Sequence, residues 1–483
     1  MNIKSTQAIS QWKLSGVVIF FVVCVLVARL LLIRTRQRSY SQSLTSKDGK
    51  RVPEIAFDVR SIIMQRSHDL RRMIEDHAGT SPCFIRSGPN RYLVISQTHH
   101  VREFYAQDYE RHTKPQDAHL GSPIGFLMPG AIGTQSGEDW RKIRNHFEPP
   151  MSFSAISERV PRFTREIKTW VKTLDTGLVN SRLTFQFVVF RLMTLHLYED
   201  AYDDRMYWRM LELYHLHEKA ARASVSSTVT WWQDSKILSW LPVGPAPIIR
   251  RFRYEWREFN RAVISNARGG KWTCPVEVIY RGVSAHNEMT EDAFLSTLGE
   301  LLFTNVDINS QILSTVFTNL AANPAVQSAL RQEIQFNENV GDAYIHRSDT
   351  LLHRVLQESM RISPAPSFSR PELIADAKTI GGYHIPANTA VVIDVRRLNN
   401  DPGTWGSDCD EWDPDRFLRV DQKDLHCGLR RYGVGAASER CLGQHAADVI
   451  IKITIVAITE KLSLKPVGCG EKPGNADLNM LPL

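Results

Sequence analysis

A chain of 483 residues with 43% apolar content can bury a large core, and length alone would suggest two or three domains. Its 59 basic and 52 acidic residues leave a net charge of +7, which favours acidic partner surfaces but supplies no basic, aromatic-interleaved stripe for nucleic acid. Seven cysteines, at 24, 83, 274, 409, 427, 441 and 469, are odd in number, scattered and without a Cys-x-x-Cys pair; this excludes a disulfide framework and a zinc site and points to a reducing compartment.

Residues 14–33 (LSGVVIFFVVCVLVARLLLI) are apolar apart from Arg29 and long enough to span a bilayer. Arg34, Arg36 and Arg38 follow directly, then Lys47, Lys50 and Arg51, whereas only Lys4 and Lys13 precede. The pattern predicts an uncleaved transmembrane anchor with a short lumenal segment 1–13, a basic linker 34–52 and a cytosolic body 53–483. That body carries no linker, repeat or charge block, so it is expected to be one catalytic domain.

Helical periodicity runs through 58–77, 139–153, 159–174, 183–197, 204–222 and 248–267. Strand-like pieces are short: 83–86, 92–96 and 389–394. The fold class is mainly α with small β-sheets. Two Pro-rich, aromatic stretches read as irregular loops, one around Trp231, Trp232, Trp240, Pro242, Pro245 and Pro247, the other over 401–417.

One helix stands apart. Thr290 caps it, Pro324 stops it, and the residues between are apolar on nearly every face, as in a helix running through a core. Thr304, Asn305, Asp307, Asn309 and Ser310 interrupt that surface, and a buried carboxylate costs several kcal/mol unless paired. A hydrogen-bonded kink or a water site would account for the interruption; so would a polar notch facing a cofactor.

Further on, Glu358 and Arg361 lie three apart on a helix over 349–362 and share a face. Arg416, in Trp412-Asp-Pro414-Asp-Arg416-Phe417, supplies a second arginine, and a glutamate shared between two arginines can lock that loop. Then comes Tyr432-Gly-Val-Gly435-Ala-Ala-Ser-Glu-Arg440-Cys441-Leu-Gly443, followed by a helical run over 444–461. A cysteine at a helix start meets the positive end of the dipole and unsatisfied N–H groups, which favour a thiolate. Gly443 permits close approach of a flat macrocycle.

In order and spacing, Glu358-x-x-Arg361, Pro414-x-Arg416-Phe417 and Cys441-Leu-Gly443 resemble the cytochrome P-450 family, and Trp140-x-x-x-Arg144 extends the likeness. Phe303-Thr-Asn-Val-Asp-Ile-Asn309 is similar to a stretch of filamentous-fungal biosynthetic members. The resemblance implies a haem b cofactor with Cys441 as the axial iron ligand. It implies a cofactor cradle of Trp140, Arg144, Arg370, Gly435, Arg440 and Gly443, with Glu358, Arg361 and Arg416 structural. The family's activity is haem-thiolate monooxygenation, using O2 and NADPH-derived electrons.

Two departures stand out. Two extra residues separate Gly435 from the cysteine, so Glu439 takes the usual arginine position and Arg440 falls one place later; Cys441 is kept over Cys427 because only Cys441 has the following glycine and helix. In the central helix the usual acid–threonine pair becomes Asp307-Ile308. Asp307 and Asn309 are therefore the expected proton-delivery residues.

No Gly-x-Gly-x-x-Gly and no flavin-sized segment are present, so the electrons are expected from a separate NADPH-cytochrome P-450 reductase, with cytochrome b5 as a second donor that the resemblance admits. Arg430, Arg431 and Arg440 are expected near that partner or on a solvated face. The expected location is the endoplasmic reticulum membrane, with a lipid bilayer as partner and no nucleic acid. Substrate contacts are expected from 111–135, Phe303, Thr304, Ser367, Phe368 and Met480, around an adaptable, largely uncharged pocket for a small apolar fungal secondary-metabolite intermediate. The loss of the alcohol at Ile308 keeps open a haem-thiolate isomerase, dehydratase or oxidative coupling catalyst. A haem-binding sensor or inactive paralogue is the alternative from another class.

Overall fold

The computed structural model describes residues 49, 51–59, 67–87, 90–115, 127–174, 176–201, 203–226, 245–269, 274–286, 288–420, 425, 427–432, 441–467 and 478–483. The expected anchor 14–33, Trp231, Trp232, Trp240, Gly435 and Arg440 lie outside the described residues. Among the described residues, no helix is long and apolar enough to cross a membrane.

The molecule is organised around the central helix. It begins at Glu291–Gly299, with the Thr290 hydroxyl accepting the Ala293 N–H at 3.2 Å. It passes through a π-helical turn, Glu300–Thr304, and continues as Asn305–Ala322. Such a turn holds one residue more than an α-turn, so it re-aims every side chain beyond it, and π-turns of this kind are frequent at functional sites. Phe294, Leu298, Leu302, Val306, Leu313, Phe317 and Leu320 are buried in one large apolar cluster shared with the helices Ser181–Tyr198, Leu351–Ile362 and Gln444–Lys461. Burial on all sides explains why no single apolar stripe is visible in its sequence.

Sheets occupy the periphery. Five strands run in the order β1 (Glu54–Ala56), β2 (Cys83–Ser87), β3 (Asn90–Ile95), β8 (Ala390–Ile393), β5 (Glu372–Leu373). β3 and β8 pair in parallel, Leu93 opposite Val391, and the paired stretches 92–95 and 390–393 are apolar throughout rather than alternating. A two-stranded ribbon joins β6 (Lys378–Ile380) to β7 (Tyr383–Ile385). In the third sheet β10 (Leu478–Pro482) lies between β4 (Gly177–Val179) and β9 (Leu462–Lys465).

Several expected boundaries move. The segment expected as helix over 58–77 is helical only as Ser67–Ala78 among its described residues, and β1 precedes it. The expected loop over 401–417 contains two ordered turns, Pro402–Trp405 and Pro414–Leu418, each started by a proline whose fixed φ and missing N–H suit a first helical position. For the same reason Pro247 falls in the first turn of the helix Ala246–Gly269 rather than in a loop. Pro324 not only ends the central helix but opens the next one, Pro324–Phe336.

Candidate active site

Cys441 is the only exposed cysteine among the five described; Cys83, Cys274, Cys409 and Cys427 are buried. Its backbone N–H donates to the Tyr432 carbonyl at 2.9 Å, and its own carbonyl accepts from Gln444 N at 3.3 Å, which seats it at the start of the Gln444–Lys461 helix. Desolvation by the surrounding protein pushes the thiol above its usual value; the Gly443 N–H, Arg370 and Arg144 pull it down, and Glu300 pushes it up. Burial thus works against a bare thiolate, and a bound metal ion would supply the positive charge that favours it. Cys427, the rival, packs into the cluster beneath β3 and β8 and has no such opening.

Beside Gly443, the central helix presents two linked asparagines, Asn305 and Asn309. A Cβ built on Gly443 would stand 3.2 Å from the Asn305 amide nitrogen, close enough that the asparagine would have to give way by a few tenths of an ångström. Asn305 donates to the Leu301 carbonyl at 2.5 Å and accepts from Asn309 at 3.3 Å. Asn305 was legible only as one of several polar interruptions; its i, i+4 spacing to Asn309 is the signal that marks it.

Two guanidinium groups act on the sulfur. Arg144, on the helix Gly137–Met151, is 8% exposed, lies 5.6 Å from the Trp140 ring centroid and pairs with Glu148 at 2.9 Å. Arg370 pairs with Glu300, whose other oxygen accepts the Gly133 N–H at 2.9 Å. Glu300 was not anticipated and puts a buried carboxylate beside a region expected to be largely uncharged.

Behind the site, Glu358, Arg361 and Arg416 meet with side chains 0%, 0% and 2% exposed. Arg361 forms a two-pronged pair with Glu358 at 2.7 and 2.8 Å and donates to the carbonyls of Asn399, Cys409 and Glu411 at 2.9, 2.8 and 3.2 Å. Arg416 reaches Glu358 at 3.3 Å and the Trp405 and Asp408 carbonyls at 3.0 and 2.8 Å. Two arginines thus satisfy the carbonyls of a segment with little regular structure, which is what a buried irregular chain requires. Nearer the cysteine, the Tyr432 hydroxyl donates to Asp448 at 3.2 Å. Burial works to raise the Asp448 carboxyl, but Lys452 and Arg431 outweigh it and hold it below the usual range.

Other expected residues lie elsewhere. Asp307 bonds Gln186 and Tyr214 at 3.2 and 3.5 Å and faces Arg182 at 3.7 Å, while Asn309 turns to Asn305; the two do not share a partner. Phe303 is packed among His217, Trp256 and Phe252, Phe368 sits in the sheet cluster, and Met480 is fully buried in β10. These three are buried in apolar clusters, whereas Thr304 and Ser367 remain partly accessible. Arg430, expected at a partner or solvent surface, turns inward to Tyr105 at 2.9 Å and Glu372 at 3.6 Å with 13% exposure.

An accessible thiol at a helix start, a glycine beside it and two guanidinium groups acting on the sulfur fit an iron macrocycle bearing carboxylates. A family model described as Cytochrome P450 matches residues 80–481. The chain is 46% identical to "Cytochrome P450 monooxygenase opdB" of Penicillium oxalicum, over 92% of this chain and 90% of that one. It is 34% identical to "Cytochrome P450 monooxygenase apdB" of Emericella nidulans, over 93% of each chain, and 34% identical to "Cytochrome P450 monooxygenase lepD" of Aspergillus flavus, over 86% of this chain and 84% of that one. With this likeness running through nearly the whole chain, the protein belongs to the cytochrome P450 family of oxidoreductases.

Proposed function

We propose that this oxidoreductase is a haem-thiolate monooxygenase acting on a small, largely apolar intermediate of fungal secondary metabolism. The observation that carries the reading is Cys441: accessible, at a helix N-terminus, and under the influence of Arg144 and Arg370. Cys441 binds the iron, Gly443 lets the macrocycle approach, and Trp140, Arg144 and Arg370 hold its carboxylates. Bound there, the haem supplies O2 activation, favoured by electron density from the thiolate. Glu358, Arg361 and Arg416 keep the backbone ahead of the cysteine in place. Asn309 positions a water through Asn305, and Asp307 exchanges protons with solvent near Arg182 and Gln186. The apolar segment 14–33 and its flanking arginines support a single-pass anchor in the endoplasmic reticulum with the body in the cytosol. Electrons come from a separate NADPH-dependent reductase.

Full-length protein reconstituted with NADPH-cytochrome P-450 reductase should give a thiolate-type band when reduced under CO. Incubation with extracts of the deleted source strain should then consume NADPH in proportion to product. A second reading, a haem-thiolate isomerase or dehydratase, is favoured by Ile308, which has no hydroxyl to donate. Product formed without NADPH would select it.

A further inference from the structure

Three segments distant in sequence converge on one carboxylate. Glu300 opens the π-turn with its side chain 9% exposed; it accepts the Gly133 N–H at 2.9 Å and an Arg370 N–H. Next to it the Ile132 N–H donates to the Thr297 hydroxyl at 3.1 Å, so the short turn Ile132–Thr134 is tied twice to the central helix. A Cβ built on Gly133 would fall on Nη1 of Arg370 and beside the Glu300 carboxylate. The glycine is there for space.

A guanidinium has five N–H groups in a rigid fork, and a carboxylate on one edge fixes the plane of the rest. Arg370 remains 36% exposed, so the pair with Glu300 leaves part of the guanidinium accessible. Arg370 and Glu300 both exert their charge on Cys441, the proposed iron ligand. An arginine that must meet a cofactor carboxylate loses less entropy if a second anion already holds it. A carboxylate whose charge reaches the ligand would also favour the more positive, oxidised iron.

We propose that Glu300 is a positioning residue for the cofactor: it holds Arg370 so that the remaining N–H groups meet a haem propionate, and it links the Ile132–Thr134 turn to the charge around the iron. The inference rests on the haem reading above. A missing thiolate-type CO band in the unaltered protein would count against that reading; the comparisons below bear on Glu300 alone.

The test measures haem transfer to excess apomyoglobin and the iron reduction potential in full-length holoprotein. Glu300→Gln should keep the thiolate-type CO band, lose haem several-fold faster and shift the potential positive. Gly133→Ala keeps both charges but displaces the guanidinium, and should also accelerate haem loss. In an Arg370→Gln background Glu300 has nothing to hold, so adding Glu300→Gln should leave the haem-loss rate as it was. Equal acceleration with and without the arginine, or an unchanged rate and potential in Glu300→Gln, would overturn the proposal. Should Glu300→Gln fail to load haem, Glu300→Asp, which keeps the charge, is expected to load it and release it at an intermediate rate; failure of Glu300→Asp while Arg370→Gln still loads would equally sink the idea.

Discussion

Asp307 and Asn309 are two residues apart on the central helix yet point to different sides of it: Asp307 to Gln186, 3.2 Å away on the neighbouring helix, Asn309 to Asn305 at 3.3 Å and thence to Gly443. A helix turns about 100° per residue, so positions i and i+2 lie on nearly opposite faces. Proton delivery that uses both residues must therefore cross the helix rather than act at one shared water. Asn309→Leu is expected to keep the haem spectrum and divert reducing equivalents to hydrogen peroxide, measured as peroxide formed per NADPH. Asp307→Asn should slow turnover with a raised solvent isotope effect and leave coupling closer to normal. Identical effects of the two changes would contradict this division.

Cys441→Ala should abolish the thiolate-type CO band, whereas Cys427→Ala should retain it. The Cys427 side chain is buried in the cluster beneath β3 and β8, so trimming it leaves a small void. Its expected cost is about 1 kcal/mol, visible as a lower melting temperature of the holoprotein. A lost band in Cys427→Ala would reverse the ligand assignment.

Removing Glu358 leaves the fully buried Arg361 guanidinium without its carboxylate, whereas Arg416 keeps Asp408 at 2.8 Å. Breaking a buried ion pair costs about 3–5 kcal/mol. Glu358→Ala should therefore yield little haem-loaded protein, and Glu358→Gln, which keeps an acceptor for Asp413 N, should recover part of it. Normal haem content in the alanine variant with slowed turnover would show a catalytic rather than a structural role.

The Tyr432 hydroxyl reaches Asp448 while the Tyr432 carbonyl holds Cys441. Tyr432→Phe deletes one hydrogen bond to a charged group, worth about 1.5–3 kcal/mol, but Asp448 keeps Lys452 at 3.2 Å. The expected result is a destabilised protein that still loads haem, read by thermal unfolding followed at the Soret band. Unchanged stability would mean that the hydroxyl is satisfied equally well by water.

Deleting residues 1–38 should move the protein toward the soluble fraction with haem content retained, since the proposed haem contacts begin at Trp140. Fractionation with absorbance of each fraction checks this. Loss of haem on truncation would contradict an anchor that is separate from the catalytic body.

Sequence by itself carried the features that are linear. A central helix shows as a capped, proline-free apolar run, and the candidate site as an ordered set of short motifs: Glu358 and Arg361 one helical turn apart, Arg416 before the cysteine, Gly443 after it. What only the tertiary structure decided is where side chains go when their partners come from far along the chain. Glu300 was hidden because its partners, Gly133 and Arg370, are 167 and 70 positions away, and no local period marks such a meeting. Phe303, Phe368 and Met480 could not be sorted by sequence, because an apolar side chain reads alike whether it faces a ligand or a core; only the fold shows that all three are buried. The π-turn decided the rest, since one added residue rotates the helix beyond it, and with it the faces from which Asp307 and Asn309 emerge.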